Sequence, residues 1–65
     1  MACADCKKYA VAQTKASIIS SQASALSTDN ALDSGQQNAM AGLANVASQI
    51  ATQLGQKWSE CAENA

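Results

Sequence analysis

Placed at 100° per residue, the second half of the chain gathers Leu32, Ala39, Leu43, Val46, Ala47, Ile50, Leu54, Trp58 and Cys61 into one broad stripe. Asn38, Asn45, Thr52, Gln56 and Glu63 fall on the opposite side, so this segment reads as an amphipathic helix with an inside and an outside. The first half carries two stripes. Tyr9, Ala12, Ala16, Ile19, Ala23 and Leu26 form one, and Val11, Ile18 and Ala25 form another about 100° away. A two-helix hairpin covers only one such stripe per helix, so the second is expected to meet a neighbouring molecule.

Between the halves, Ser27-Thr28-Asp29-Asn30 is a cluster of residues that favour caps and turns, and the chain is expected to reverse there. Two starts compete for the second helix. One is a cap at Thr28 to Asn30; the other is Ser34 with Gln37 three residues later, the spacing of a capping box. Because the apolar stripe already includes Leu32, the earlier start is preferred. The whole chain, residues 1–65, then reads as a single all-α, antiparallel two-helix hairpin packed into a larger assembly. Helix 1 is expected at about residues 4–27, a turn at about 28–30, and helix 2 at about 30–62. The stripe of Leu43, Val46, Ile50 and Leu54 would pack on Ile19, Ala23 and Leu26, with Trp58 as a plug beneath the open end near Tyr9. A place for Trp58 in a subunit interface is the alternative. Val11, Ile18 and Ala25 would be the subunit contact.

Composition makes helix easy and a solitary fold hard. There are fifteen Ala and seven Gln, only three Gly and no Pro, which suits helix formation. The aliphatic set is only four Leu, three Ile and two Val, with no Phe, in a chain of 65 residues. A hairpin of this size and core needs a covalent staple or a partner subunit. Small residues recur every fourth position, as in Ala12, Ala16, Ser20, Ser24 and in Ala47, Ala51, Gly55. Such rows either let two helix axes come close or serve only helix propensity.

Charge removes several functions. The net charge is -1, and Lys7, Lys8, Lys15 and Lys57 form no dense basic stripe, so nucleic acid is not an expected partner. Residues 34–56 carry no charge but include five Gln and two Asn, which argues against a membrane-spanning helix. The segment Met1-Ala2-Cys3-Ala4-Asp5 lacks the regions of a secretory signal; the expectation is a cytoplasmic protein or one exported by a signal-independent route.

Little in the chain invites catalysis. Without His there is no triad, proton shuttle or imidazole ligand, and the eight Ser lack a base. Asp29 and Asp33 stand one turn apart like a carboxylate pair, but at a helix start their expected role is to complement the helix dipole. Gly35, Gly42 and Gly55 are isolated, so no phosphate loop exists. No enzyme activity and no cofactor are expected.

Cys3, Cys6 and Cys61 are the most informative polar positions. A hairpin folded about residues 30–33 returns Cys61 to the end that holds Cys3 and Cys6. That proximity allows an intramolecular or intermolecular disulfide. Reduced thiols without a role are a second possibility. A metal site is a third, and it would need a further ligand such as Asp5 or Glu60.

The run Asn30-Ala31-Leu32 through Gln36-Gln37-Asn38-Ala39-Met40-Ala41 resembles the Asn-Ala and Gln-Gln-Asn-Ala stretches of the R-body (Reb, "killing trait") proteins. Ala10-Val11-Ala12-Gln13-Thr14 is similar to their N-terminal part. Those proteins are generally longer and build insoluble ribbons inside bacteria, and their pattern does not account for the three Cys. The resemblance implies a ribbon subunit. Together with the surplus apolar stripe, it favours a self-assembling structural protein, a homo-oligomer or polymer of hairpins. A small dimeric binding module, two hairpins forming a four-helix bundle, is the first alternative. A secreted bacteriocin-like hairpin peptide is the second, and its acidic balance opposes it.

Overall fold

The computed structural model describes residues 2–63, with side chains from Cys6 onward. Two helices, α1 (Ala2–Leu26) and α2 (Ser34–Glu63), fold back on each other as an antiparallel hairpin, with no strand among the described residues. The fold is therefore the all-α hairpin that the hydrophobic pattern predicts. It is a rod of 48 × 13 × 10 Å, and its length is close to the ~45 Å expected of thirty helical residues.

α1 contains neither Gly nor Pro, and it ends without a glycine cap. Its last carbonyls are taken up locally instead. The Ser27 amide donates to the carbonyls of Ala23 (3.0 Å) and Ser24 (3.2 Å), and the Ser27 hydroxyl donates to Ser24 at 2.6 Å. The amide and hydroxyl of Thr28 both donate to the Ala25 carbonyl, and the Asp29 amide donates to that of Leu26. All four orphan carbonyls of the helix end thus find donors, through the tightened last turn typical of helix termini.

The turn is longer than the pattern suggests. It spans residues 27–33, and α2 begins at Ser34 rather than near Asn30. Asp29 makes an Asx turn, its Oδ1 accepting the Ala31 amide at 2.9 Å, while its carbonyl accepts the Leu32 amide at 3.1 Å. Asp33 then caps α2. Its Oδ1 accepts the Gln36 amide at 2.7 Å, and Gln36 Oε1 accepts the Asp33 amide at 3.0 Å, a reciprocal capping box. Neither expected start holds: the box is Asp33 with Gln36, one residue before Ser34 with Gln37. Side-chain bonds to nearby backbone here outweigh the periodicity that enlisted Leu32 in the helix. Gln37 has another task, donating from Nε2 to the Asp29 carbonyl at 2.7 Å and so tying α2 back to the turn.

The seam between the helices follows a seven-residue repeat. With Cys6 as position a, positions a and d of α1 are Cys6, Tyr9, Gln13, Ala16, Ser20 and Ala23, all buried or half-buried. With Gln37 as position a, those of α2 are Gln37, Met40, Ala44, Ala47, Ala51, Leu54, Trp58 and Cys61, and all but Trp58 are buried or half-buried. This is the a/d spacing of a two-stranded coiled coil, filled along its middle with small residues, Ala16, Ser20, Ala23, Ala44, Ala47 and Ala51. The buried apolar positions among the described residues are Cys6, Ala16, Ala23, Ala47 and Ala51.

Small seam residues let the helices approach closely. Ser20 Oγ donates across the seam to the Ala44 carbonyl at 3.0 Å, reaching the partner helix's backbone. A Cβ on Gly55 would stand 2.7 Å from Gln13 Nε2, so that glycine makes room for the amide opposite. Of the four-residue rows in the sequence, Ala16, Ser20, Ala47, Ala51 and Gly55 lie in or beside the seam, whereas Ser24 is exposed. There the small residues serve close approach as well as helix propensity.

Candidate functional site

The three Cys resolve into a staple. Cys6 and Cys61 form a disulfide across the open end, 55 residues apart in sequence, with Cα atoms 5.6 Å apart. Both occupy seam positions where the helices approach closely, and that spacing falls in the normal range for a bridge. The bond takes both sulfurs out of contention as metal ligands, and no metal-binding cluster of His, Cys, Asp or Glu occurs among the described residues. The Cys3 side chain lies outside the described residues.

The interior expected from the sequence is corrected by the structure. Ala23 is buried and Leu54 half-buried, but Ile19, Leu26, Leu43, Val46, Ile50 and Trp58 each leave 39 to 52% of their surface in solvent. The reason is periodicity. A strict seven-residue seam draws the small a and d residues inward, while Ile19 and Leu26 fall at position g of α1, and Leu43 and Ile50 at position g of α2. Reading at 3.6 residues per turn averages these neighbouring positions into one stripe and takes the larger residues for the inside.

Five of the eight expected core residues nonetheless meet. Ile19, Leu43, Val46, Ile50 and Leu54, with Ala12, border a shallow apolar groove along one flank of the hairpin, where Ala16 and Ala47 form the floor and Lys15 the edge. In an antiparallel pair the g positions of the two helices face the same flank, so Ala12, Ile19 and Leu26 run beside Leu43 and Ile50. The other flank is built of smaller residues over most of its length. It carries Ala10, Ser17, Ser24, Ala41, Ser48 and Gly55, and Trp58 rests near its stapled end among Cys6, Lys7, Ala10 and Ala62.

Trp58 is therefore a half-exposed cover beside the disulfide rather than an interior plug. The amine of Lys8 lies over the ring of Tyr9, 5.3 Å from its centre. Val11, Ile18 and Ala25 occupy position f, on the outside of α1 away from α2, and all three are exposed.

Asp29 and Asp33 are engaged in turn and cap hydrogen bonds, and Thr14, Ser27, Thr28 and Thr52 donate to carbonyls of their own neighbourhood. The described surface carries an apolar groove, an apolar outer stripe and an uncharged polar face on α2 lined by Ser48, Gln49, Thr52, Gln53 and Gln56. No described helix is long and apolar enough to cross a membrane.

Sequence reasoning missed Gln13 and Ala44 as seam residues, and held Ser20 and Gly55 only as members of the small-residue rows. The signal for three of them is present as the spacing Cys6, Gln13, Ser20 and the matching spacing Ala44, Ala51, Trp58, a seven-residue recurrence hidden by polar residue types. Compared with known proteins, the chain matches no family model, no curated protein and no solved structure, so the resemblance to R-body proteins rests on the residues quoted for it.

Proposed function

We propose that the chain is a self-assembling structural subunit, a stapled helical hairpin that packs flank to flank with copies of itself. One observation carries this reading: most of the large aliphatic side chains, among them Ile18, Ile19, Leu26, Leu43, Val46 and Ile50, stand exposed while alanines fill the inside. Contiguous apolar surface of this kind marks sites of association in small soluble domains. Two features support growth beyond a pair. The Val11, Ile18, Ala25 stripe is separate from the groove, and two distinct contacts allow assembly to continue where one would close. The outer face of α2 between residues 34 and 56 carries no charge, so burying it in a lattice leaves no ion to desolvate.

Light scattering coupled to size-exclusion chromatography tests the reading. Mass is expected to rise with concentration from micromolar to millimolar, with particles or ribbons visible by negative stain. A monodisperse monomer over that range overturns it. A closed pair acting as a binding module is the second reading, favoured by the concentration of Ile19, Leu43, Val46 and Ile50 along one flank; it predicts a dimer that stops growing.

A further inference from the structure

We infer that the groove-bearing flank is covered by the same flank of a second copy turned end for end, so that two hairpins form a four-helix unit. This rests on the assembly reading and specifies its first contact.

Three observations select a second copy. The first is the distribution of side-chain size. Small residues at a and d with large ones at g give each helix three core-facing positions per heptad, the pattern of a helix in a bundle rather than in a lone two-stranded coil. The groove exists because Ala16 and Ala47 leave its floor low between the higher Ile19 and the Leu43, Val46, Ile50 row. Residues of the g rows recur every seven positions, about 10 Å along each helix, and a reversed copy presents rows with the same step.

The second is area. A folded monomer of 6.6 kDa exposes about 3,900 Å² by the general scaling of surface with mass, whereas this chain exposes 4560 Å². The excess, roughly 700 Å², is what a 48 × 13 × 10 Å rod exposes beyond a compact body of its mass, and pairing along one flank removes surface of this kind.

The third is charge, which sets direction. Lys7, Lys8, Lys15 and Lys57 all lie in the stapled half of the rod, with Asp5, Glu60 and Glu63, while the turn carries Asp29 and Asp33 and no cation. Copies laid in the same direction would set two aspartate pairs side by side. Reversal sets each pair against the partner's stapled end, where Lys7, Lys8 and Lys57 stand, and brings groove to groove with Lys15 at the edge, where its long stem can carry the amine to solvent.

The experiment uses the oxidised full chain at several concentrations, with four variants. Ile50→Glu and Leu43→Glu place a charge on the groove; Val11→Glu and Ile18→Glu place one on the outer stripe. All four positions are solvent-exposed, so helicity by circular dichroism and the Cys6–Cys61 bond are expected to persist and are checked. Groove variants are expected to weaken pairing at least 100-fold, while outer-stripe variants still pair but do not grow. Zero-length crosslinking of mixed heavy- and light-isotope chains is expected to join Lys7 or Lys8 of one copy to Asp29 or Asp33 of another. Pairing undiminished in Ile50→Glu and Leu43→Glu, or inter-copy links confined to like ends, overturns the inference and leaves assembly through another face standing. A wild-type monomer at millimolar concentration removes both.

Discussion

At the stapled end, Cys6 and Cys61 hold α1 to α2 through a covalent bond; at the turn, Asp29, Asp33, Gln36 and Gln37 do so with hydrogen bonds on an exposed loop. Sequence distance explains the division of labour. Meeting across 55 residues sacrifices much chain entropy, which a permanent crosslink removes from the unfolded state. Reversing direction within residues 27–33 requires little, and a few side-chain bonds to local backbone suffice. Between the ends lies a seam of small residues, which gives close approach but modest apolar burial.

The strongest way to break this comparison is to cut the staple. Reduction, or Cys61→Ser, is expected to cost about 4 kcal/mol in the chain-entropy account and to lower Tm by on the order of 15 °C or more in melts at low micromolar concentration. An unchanged Tm with reductant would mean that the turn and seam hold the rods unaided. Next comes the middle. Ala47→Leu wedges a larger side chain into the seam and is expected to destabilise by about 1–3 kcal/mol, read by chemical denaturation.

At the turn, Asp33→Ala removes the capping box and is expected to cost about 1 kcal/mol, with faster hydrogen exchange at the Gln36 and Gln37 amides and no change near Cys61. The smallest effect compares the outer face of α2 with the side next to the seam. Gly42 has open space around it, so Gly42→Ala is expected to stabilise by up to about 1 kcal/mol. Gly55→Ala gains less, because the new methyl requires the Gln13 amide to move. Equal gains at the two glycines would show that the Gln13 amide yields at no cost and that the stapled end is not closely packed there.

The fold class and the return of Cys61 to the end holding Cys6 were legible from pattern and length. Leu43, Val46 and Ile50 were legible as a group, since hydrophobic spacing identifies neighbours on a helix whatever covers them. Which side of that group faces the partner helix was not legible. The decision belonged to Gln13, Ser20 and Ala44, whose small or polar side chains stood on no apolar stripe and matter through what they allow the backbone to do. Likewise the start of α2 was set by Asp33 and Gln36 through bonds that compete with helix periodicity.

The position of the disulfide also fixes how this molecule carries mechanical load. A pull exerted on the chain from outside the bridged pair passes through sulfur from Cys6 to Cys61, a span of 5.6 Å between Cα atoms, and bypasses residues 7–60. Both rods and the loop hang beside the line of force as a pendant. Reduction would reroute tension through the whole hairpin, whose fully drawn length between the same two residues is about 180 to 200 Å. One bond therefore decides whether the strand behaves as a short rigid link or as a long extensible tether.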